Sequence, residues 1–369
     1  MTRVLIADDS VTVRTYLEEI IKAEKDLELV GMAQDGAQAV KMVPELKPDV
    51  VVMDIQMPNM NGLDATRRIM EENPVPIVIN SALLADDQVE KTCWAMEAGA
   101  VSALEKPEGP GHPRFQKMAK KLVDTIRVMS GVKVVRRNSA FARKNEDFRK
   151  LVDVPEKPLP APVRSPVKLV VMGASTGGQP AIRTILSNLS PDFSVPTLIV
   201  LHIGEGFIKG TVNWMDKLTP RPVRLAEHNM RMEAGHVYFA PDHHHMGVTA
   251  GGRIILDDGA HINNMRPAVS FLFHSAARSY GNKALGVILS GMGKDGAEEL
   301  KVMRDRGAVT IAQSKATATV NGMPGEAVKI GAATHAMSPE EIAGFLNSLG
   351  GKDANTGRGD GKAVGGMVS

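Results

Sequence analysis

Residues 168–182 read KLVVMGASTGGQPAI: an apolar run, a glycine-rich turn, then a helical pattern. This is a strand–turn–helix unit, and it is the first of a series. After the run at Lys168–Met172 come others at Thr197–His202, His236–Ala240, Ile254–Leu256, Ala284–Leu289 and Ala308–Ala312, several of them beside helical patterns. That alternation predicts a doubly wound parallel sheet with a hairpin insert around Gly235–Leu256. The N-terminal part repeats the theme. Runs at Val4–Ala7, Leu29–Ala33, Val50–Met53, Ile77–Ile79 and Val101–Leu104, with helical patterns between them, predict a separate five-stranded doubly wound sheet.

A chain of 369 residues exceeds one ordinary hydrophobic core, which agrees with two such units. The expected division is a first domain at 1–128, a basic, proline-rich linker at 129–166, a second domain at 167–349 and a disordered glycine-rich tail at 350–369. One helix is expected within the linker, around Ala140–Leu151. With 43% hydrophobic and 23% charged residues, a wholly disordered or collagen-like chain is excluded. A net charge of +2, from 44 basic and 42 acidic side chains, argues against a nucleic-acid binder. The single cysteine, Cys93, cannot form an intramolecular disulfide; with Trp94 it sits in a helical pattern, where packing is the expected role. There is no charged-then-apolar leader and no apolar run near ~18 residues, so a cytoplasmic protein without membrane insertion is expected.

Ligands of open parallel sheets collect at the carboxyl ends of the strands. In the first domain those ends carry Asp8 and Asp9, Asp54, Ser81, and Lys106 within Glu105-Lys106-Pro107. A single aspartate there would ordinarily cap the next helix. Clustered carboxylates repel one another unless a cation neutralises them, and an all-oxygen donor set suits Mg²⁺. The segments VLIADDS, DIQMPNMNGLD, INSA and LEKP resemble the receiver domain of two-component response regulators, a flavodoxin-like fold. The resemblance implies that Asp54 accepts a phosphoryl group from a histidine kinase. It implies Mg²⁺ held by Asp8, Asp9, Asp54 and the backbone carbonyl of Gln56, with Ser81 and Lys106 as the phosphate switch. Ala103 departs from the pattern, which has an aromatic residue there.

In the second domain two readings of the glycine-rich turn compete. Gly173, Gly177 and Gly178 could let the backbone approach a phosphate, or GASTG could present Ser175 as a nucleophile at a strand–helix corner. A dinucleotide site calls for an acidic residue at the end of the next strand, but TLIVLH ends in His202, which suits a general base. The later strand GVILS leads into a second glycine-rich loop containing Asp295. Each residue alone has an ordinary structural role, His202 as a core histidine and Asp295 as a helix cap. Together they compose a Ser175–His202–Asp295 triad, with backbone N–H groups of the two glycine-rich loops available to an oxyanion.

GASTGG, GHVYFAPDHHHM, ALGVILSGMGKDGAEEL and AQSKATATVNGMPGEAV resemble the catalytic domain of chemotaxis protein-glutamate methylesterases, the CheB family, over about 167–349. Receiver, linker and catalytic domain follow in that family's order. The resemblance implies hydrolysis of glutamate methyl esters on methyl-accepting chemoreceptors, with deamidation of glutamines a second reaction. It places Thr176 and the Met292 backbone in the oxyanion region and implies no cofactor for the esterase. The implied partners are chemoreceptors and a chemotaxis histidine kinase, and a cytoplasmic monomer recruited to receptor arrays is expected. Leu201, Ser270, Ser314 and Asn321 depart from the family pattern, which leaves an alternative of a receiver-controlled interaction protein with a slow or decayed esterase. A transcription factor ranks last, for want of a helix-turn-helix. His243, His244 and His245 lack zinc-like spacing with Cys or carboxylates, so a structural metal is rejected there.

Overall fold

The computed structural model describes residues 1–81, 86–134 and 166–349, without the side chains of 86–88. The helix expected around 140–151, most of the proline-rich linker and the tail at 350–369 lie outside the described residues.

Five short strands, β1 (Thr2–Ala7), β2 (Leu27–Ala33), β3 (Val50–Met53), β4 (Ile77–Ser81) and β5 (Ser102–Glu105), pair in parallel in the order β2-β1-β3-β4-β5. Between them run α1 (Val11–Lys22), α2 (Gly36–Leu46), α3 (Gly62–Glu72) and α4 (Asp86–Ala98), with α5 (Phe115–Ser130) last. Every residue of β3 and β4 is buried, as expected of a sheet with helices on both faces, and this is why β3 and the first three residues of β4 read as unbroken apolar runs. Ser10, Asp35 and Asn61 cap α1, α2 and α3 by accepting the N–H groups of Val13, Gln38 and Asp64.

The second sheet has seven strands, all parallel, in the order β14-β13-β12-β6-β7-β9-β8. In sequence these are β6 (Leu169–Ala174), β7 (Thr197–Leu201), β8 (Val223–Leu225), β9 (Val237–Phe239), β12 (Ala284–Ile288), β13 (Val309–Gln313) and β14 (His335–Met337). The helices are α6 (Gly178–Ser187), α7 (Ile208–Leu218), α8 (Val269–Tyr280), α9 (Ala297–Asp305), α10 (Met323–Lys329) and α11 (Pro339–Leu349). The chain leaves β6 for β7 on one side and later places β12 on the other, so the end of β6 is the topological switch point.

The hairpin insert is narrower than the sequence suggests. β10 (His245–Val248) and β11 (Ile254–Asp257) form it alone, while β9 joins the main sheet beside β7. β8, β10 and β14 carry no predicted run; Val-Arg-Leu, His-Met-Gly-Val and His-Ala-Met are interrupted by polar or small residues, unlike the equally short Val-Tyr-Phe of β9.

The first unit packs on the second through α4. Trp94 meets Trp214 of α7 edge to face, with ring centroids 5.2 Å apart. Cys93 is buried with its Sγ 3.6 Å from Thr211 Oγ1. Arg183 of α6 grips Glu97 through Nε and Nη2, each 2.9 Å from a carboxylate oxygen. Burial pushes the Cys93 thiol up to about 11, so it stays protonated, in line with a packing role.

Candidate active site and phosphoacceptor site

β6, β7 and β12 are adjacent in the sheet, and their C-terminal ends carry Ser175, His202 and Asp295 respectively. Ser175 follows β6 directly, is half-buried, and anchors its N–H on the Ser290 carbonyl at 3.0 Å. The left-handed residue of this turn is Gly177, at φ 70°, and a Cβ there would come within 2.4 Å of Thr319. Ser175 itself does not adopt positive φ.

His202 donates its backbone N–H to the Ala174 carbonyl at 2.9 Å, which ties it beside the serine turn. Its imidazole is nine-tenths buried, and Nε2 lies 3.4 Å from Asp295 Oδ2 without a hydrogen bond. Burial holds the imidazole below the ordinary histidine value, against the pull of the Asp295 carboxylate and the Pro267 carbonyl. It is therefore neutral near pH 7, the form a general base requires. Ser175 Oγ has no hydrogen-bond partner among the described residues; such contacts commonly tighten only with substrate in place.

Asp295 is buried and does cap a helix, but not the one beginning beside it in sequence. Its Oδ2 accepts the Val269 N–H at 2.7 Å and its Oδ1 the Ser270 N–H at 3.2 Å, both at the start of α8. The carboxylate thus supplies a cap that Ala268, the residue preceding that helix, cannot. The N–H groups of Thr176 and Met292 donate to no acceptor among the described residues, which leaves both available to an oxyanion. Sequence reasoning missed Ser290, whose hydroxyl donates to the Thr176 carbonyl at 2.8 Å and accepts the Val320 N–H at 2.9 Å. That one side chain pins together three loops around the site, and only its position between a strand and a glycine loop hinted at it.

Asn321 pairs with Gly291 beside Met292, Leu201 is buried in β7, and Ser314 bonds Thr317. Ser270 contacts Asp295 directly. His245 is buried, with Nε2 toward the Ala260 carbonyl and Nδ1 toward the Ala268 N–H; among the described residues the only grouping of metal-ligating side chains is elsewhere.

That grouping is Asp8, Asp9 and Asp54, whose carboxylate oxygens lie within 4.8 Å of one another. Lys106 Nζ reaches Asp8 Oδ2 at 2.8 Å and Asp54 Oδ2 at 2.9 Å. Burial pushes the Asp54 carboxyl up, Lys106 pulls it down and Asp8 pushes it up, and the net shift is upward. Lys106 loses solvation, but Asp54 and Asp8 together hold its ammonium above the ordinary value. Ser81 is buried at the end of β4, and its carbonyl accepts the Lys106 N–H at 2.9 Å. A set of carboxylate oxygens at this density fits a hard divalent cation.

Comparison with known proteins covers both regions. A CheB methylesterase model matches residues 170–346, and a response regulator receiver domain model matches residues 4–114. Protein-glutamate methylesterase/protein-glutamine glutaminase 4 of Geobacter metallireducens is 47% identical over 350 residues, which is 95% of this chain and 99% of that one. Protein-glutamate methylesterase/protein-glutamine glutaminase 1 of Syntrophus aciditrophicus is 45% identical over 354 residues, or 96% and 100%. The solved Thermotoga maritima CheB methylesterase catalytic domain is 36% identical, covers 50% of this chain and 98% of that chain, and gives a TM-score of 0.48. Similarity that runs through receiver and hydrolytic regions in one order, at this identity and over nearly the whole length, means that the chain belongs to the CheB protein-glutamate methylesterase family.

Proposed function

We propose that the chain hydrolyses γ-glutamyl methyl esters on chemoreceptors, deamidates receptor glutamines by the same route, and is switched on by phosphorylation at Asp54. The observation that carries the hydrolytic reading is the convergence of Ser175, a neutral His202 and Asp295 at the ends of three neighbouring strands. Ser175 Oγ attacks the ester carbonyl while His202 takes its proton. The resulting oxyanion is met by the N–H groups of Thr176 and Met292. Breaking the C–O bond sends that proton to the departing methoxide, which leaves as methanol. Water, deprotonated by His202, then cleaves the acyl-serine to give glutamate and free Ser175. For a glutamine side chain the leaving group is ammonia instead.

In the receiver, Asp54 accepts the phosphoryl group of a histidine kinase as an acyl phosphate. Asp8, Asp9, Asp54 and the Gln56 carbonyl would hold Mg²⁺, which would neutralise carboxylate and phosphoryl charge when bound. Lys106, already beside Asp54, pairs with the phosphate, and Ser81 supplies a hydroxyl. The coupling runs through the packing of the two units. β5 lies against the loop after His202, so that a Cβ on Gly204 would come within 2.7 Å of the Ala103 carbonyl. Phosphate activates to the extent that it favours the arrangement in which this contact and the α4 contact are released. Among the described residues no helix is long and apolar enough to cross a membrane, and the proposed place of action is the cytoplasm, at the chemoreceptors.

The test is methanol release from methylated receptors, with and without acetyl phosphate. Release that rises with acetyl phosphate and disappears in Ser175→Ala is expected. No release under either condition would sink the esterase reading and favour a receiver-controlled interaction protein.

A further inference from the structure

One hydroxyl beside Asp295 has more partners than protons. Ser270, in the first turn of α8 and 3% exposed, places its Oγ 2.6 Å from Asp295 Oδ1 and 2.7 Å from Glu299 Oε2. The same oxygen accepts the Gly296 N–H at 3.0 Å, which fixes it between the two carboxyl groups. A serine hydroxyl carries a single proton, so it donates to Asp295 or to Glu299 at any moment.

The choice matters because of what the rest of Asp295 is doing. Oδ2 is held by the Val269 N–H and faces His202, while Oδ1 is held by the Ser270 N–H, the Ser270 hydroxyl and, at 3.3 Å, the Asn263 amide. The hydroxyl makes the shortest of these contacts. Tying Oδ1 down sets the rotation of the carboxylate and therefore which oxygen meets the imidazole. The titratable groups brought against this cluster are His202 from the end of β7 and Glu299 from α9; α8 contributes N–H groups and the loop before it contributes Asn263.

We propose that Ser270 is a positioning residue for the hydrolytic reaction, holding Asp295 toward His202, and that Glu299 competes with Asp295 for the Ser270 proton. The inference rests on the triad reading above. It turns a departure from the family pattern into a working part: the hydroxyl orients Asp295 without adding charge next to it, and its strength is set by a neighbouring glutamate.

The test uses the full chain with acetyl phosphate and follows methanol release against pH for the wild type, Ser270→Ala, Ser270→Thr, Glu299→Gln and the Ser270→Ala/Glu299→Gln double variant. Ser270→Ala should lower kcat about tenfold, the loss expected of one hydrogen bond to a charged group, with little change in KM. Its acidic limb should move to higher pH, because Asp295 without the hydroxyl donor is a stronger partner for the imidazolium. Ser270→Thr, which keeps the hydroxyl, should restore the wild-type profile. An amide in place of the Glu299 carboxylate can itself donate to the Ser270 oxygen, which commits the hydroxyl proton to Asp295. Glu299→Gln should therefore move the limb to lower pH, and this shift should vanish in the double variant. A wild-type profile for Ser270→Ala, or a Glu299→Gln shift that persists without Ser270, overturns the proposal. Should Ser270→Ala fail to fold, a Glu299→Gln profile superimposable on the wild type overturns it equally. Absence of release from the wild type would instead strike the triad reading, so the two failures are distinguishable.

Discussion

Lys106 reaches Asp8 and Asp54 at 2.8 and 2.9 Å, whereas His202 stands 3.4 Å from Asp295 without a hydrogen bond. Both sites occupy strand ends of doubly wound sheets, but they treat charge differently. In the receiver, buried carboxylates are matched by a full cation, and removing either partner would strand the other in a poorly solvated place. In the hydrolytic site the carboxylate charge is taken up by N–H groups at the start of α8, and the imidazole is left uncharged. A site that receives a charged group keeps a counter-charge in place. A site that moves a proton keeps its base neutral.

The largest effect should come from the proposed nucleophile. Ser175→Ala should lower methanol release by at least about 10⁴-fold while leaving the thermal midpoint near that of the wild type, because the Ser175 hydroxyl bonds nothing among the described residues. Asp295→Asn should cost about 10³–10⁴-fold in kcat and, unlike the first variant, also lower stability by about 1 kcal/mol, since α8 loses an ionised cap. A melting curve run beside the assay separates the two. If Asp295→Asn melted like the wild type, the carboxylate would not be the cap described above.

On the receiver side, Asp54→Asn should make the rate with acetyl phosphate equal to the rate without it. A remaining stimulation would place the phosphoacceptor elsewhere. A smaller change is expected from Arg183→Ala, which removes the two contacts to Glu97 that join α6 to α4. With the units held less tightly, unphosphorylated turnover should rise roughly tenfold at most, the worth of one partly buried charged hydrogen bond. The exposed Lys217–Glu90 pair at the same boundary should contribute little, so Lys217→Ala serves as the comparison. Equal effects of the two substitutions would mean that the boundary is held by its apolar contacts alone.

The unequal legibility of the two sites follows from the same physics. Asp8, Asp54, Ser175 and His202 each close an apolar run and Asp295 sits in the glycine-rich loop that follows one, and a run with its end is a local signal, so their strand-end placement could be anticipated without the fold. The bonds of Asp295 could not, because they join loops 25 and 26 residues apart and depend on how β12 and α8 pack. In the sequence Asp295 stands where it would cap α9; in the fold it accepts the N–H groups at the start of α8 instead. Cys93 and Trp94 could be assigned to a packed helix, yet their partners Thr211 and Trp214 belong to the other unit, and no local pattern encodes that meeting. β8 and β14 carry no local signal for a third reason: at the sheet's two edges Val-Arg-Leu and His-Ala-Met are only partly buried, so they pair without forming an apolar run.

The smallest expected effect is a displacement of the acidic limb of the pH–rate profile, and it tests the contrast most directly. Burial lowers the affinity of His202 for a proton, and Asp295 and the Pro267 carbonyl only partly oppose it. With the neutral imidazole as the proposed base, activity should persist below the ordinary histidine value of 6.5 and decline only as pH falls through the depressed value. The sign for stability is the same. The unfolded chain binds this proton more readily than the native one, so the native state loses stability as pH drops from the ordinary value through the depressed one. Stability should therefore begin to fall at higher pH than activity does, and a direct titration of His202 by NMR should give the same midpoint as the rate. A limb at or above the ordinary histidine value would mean that Asp295 outweighs burial in the working enzyme. The hydrolytic site would then hold its proton by charge pairing, as the receiver holds Lys106.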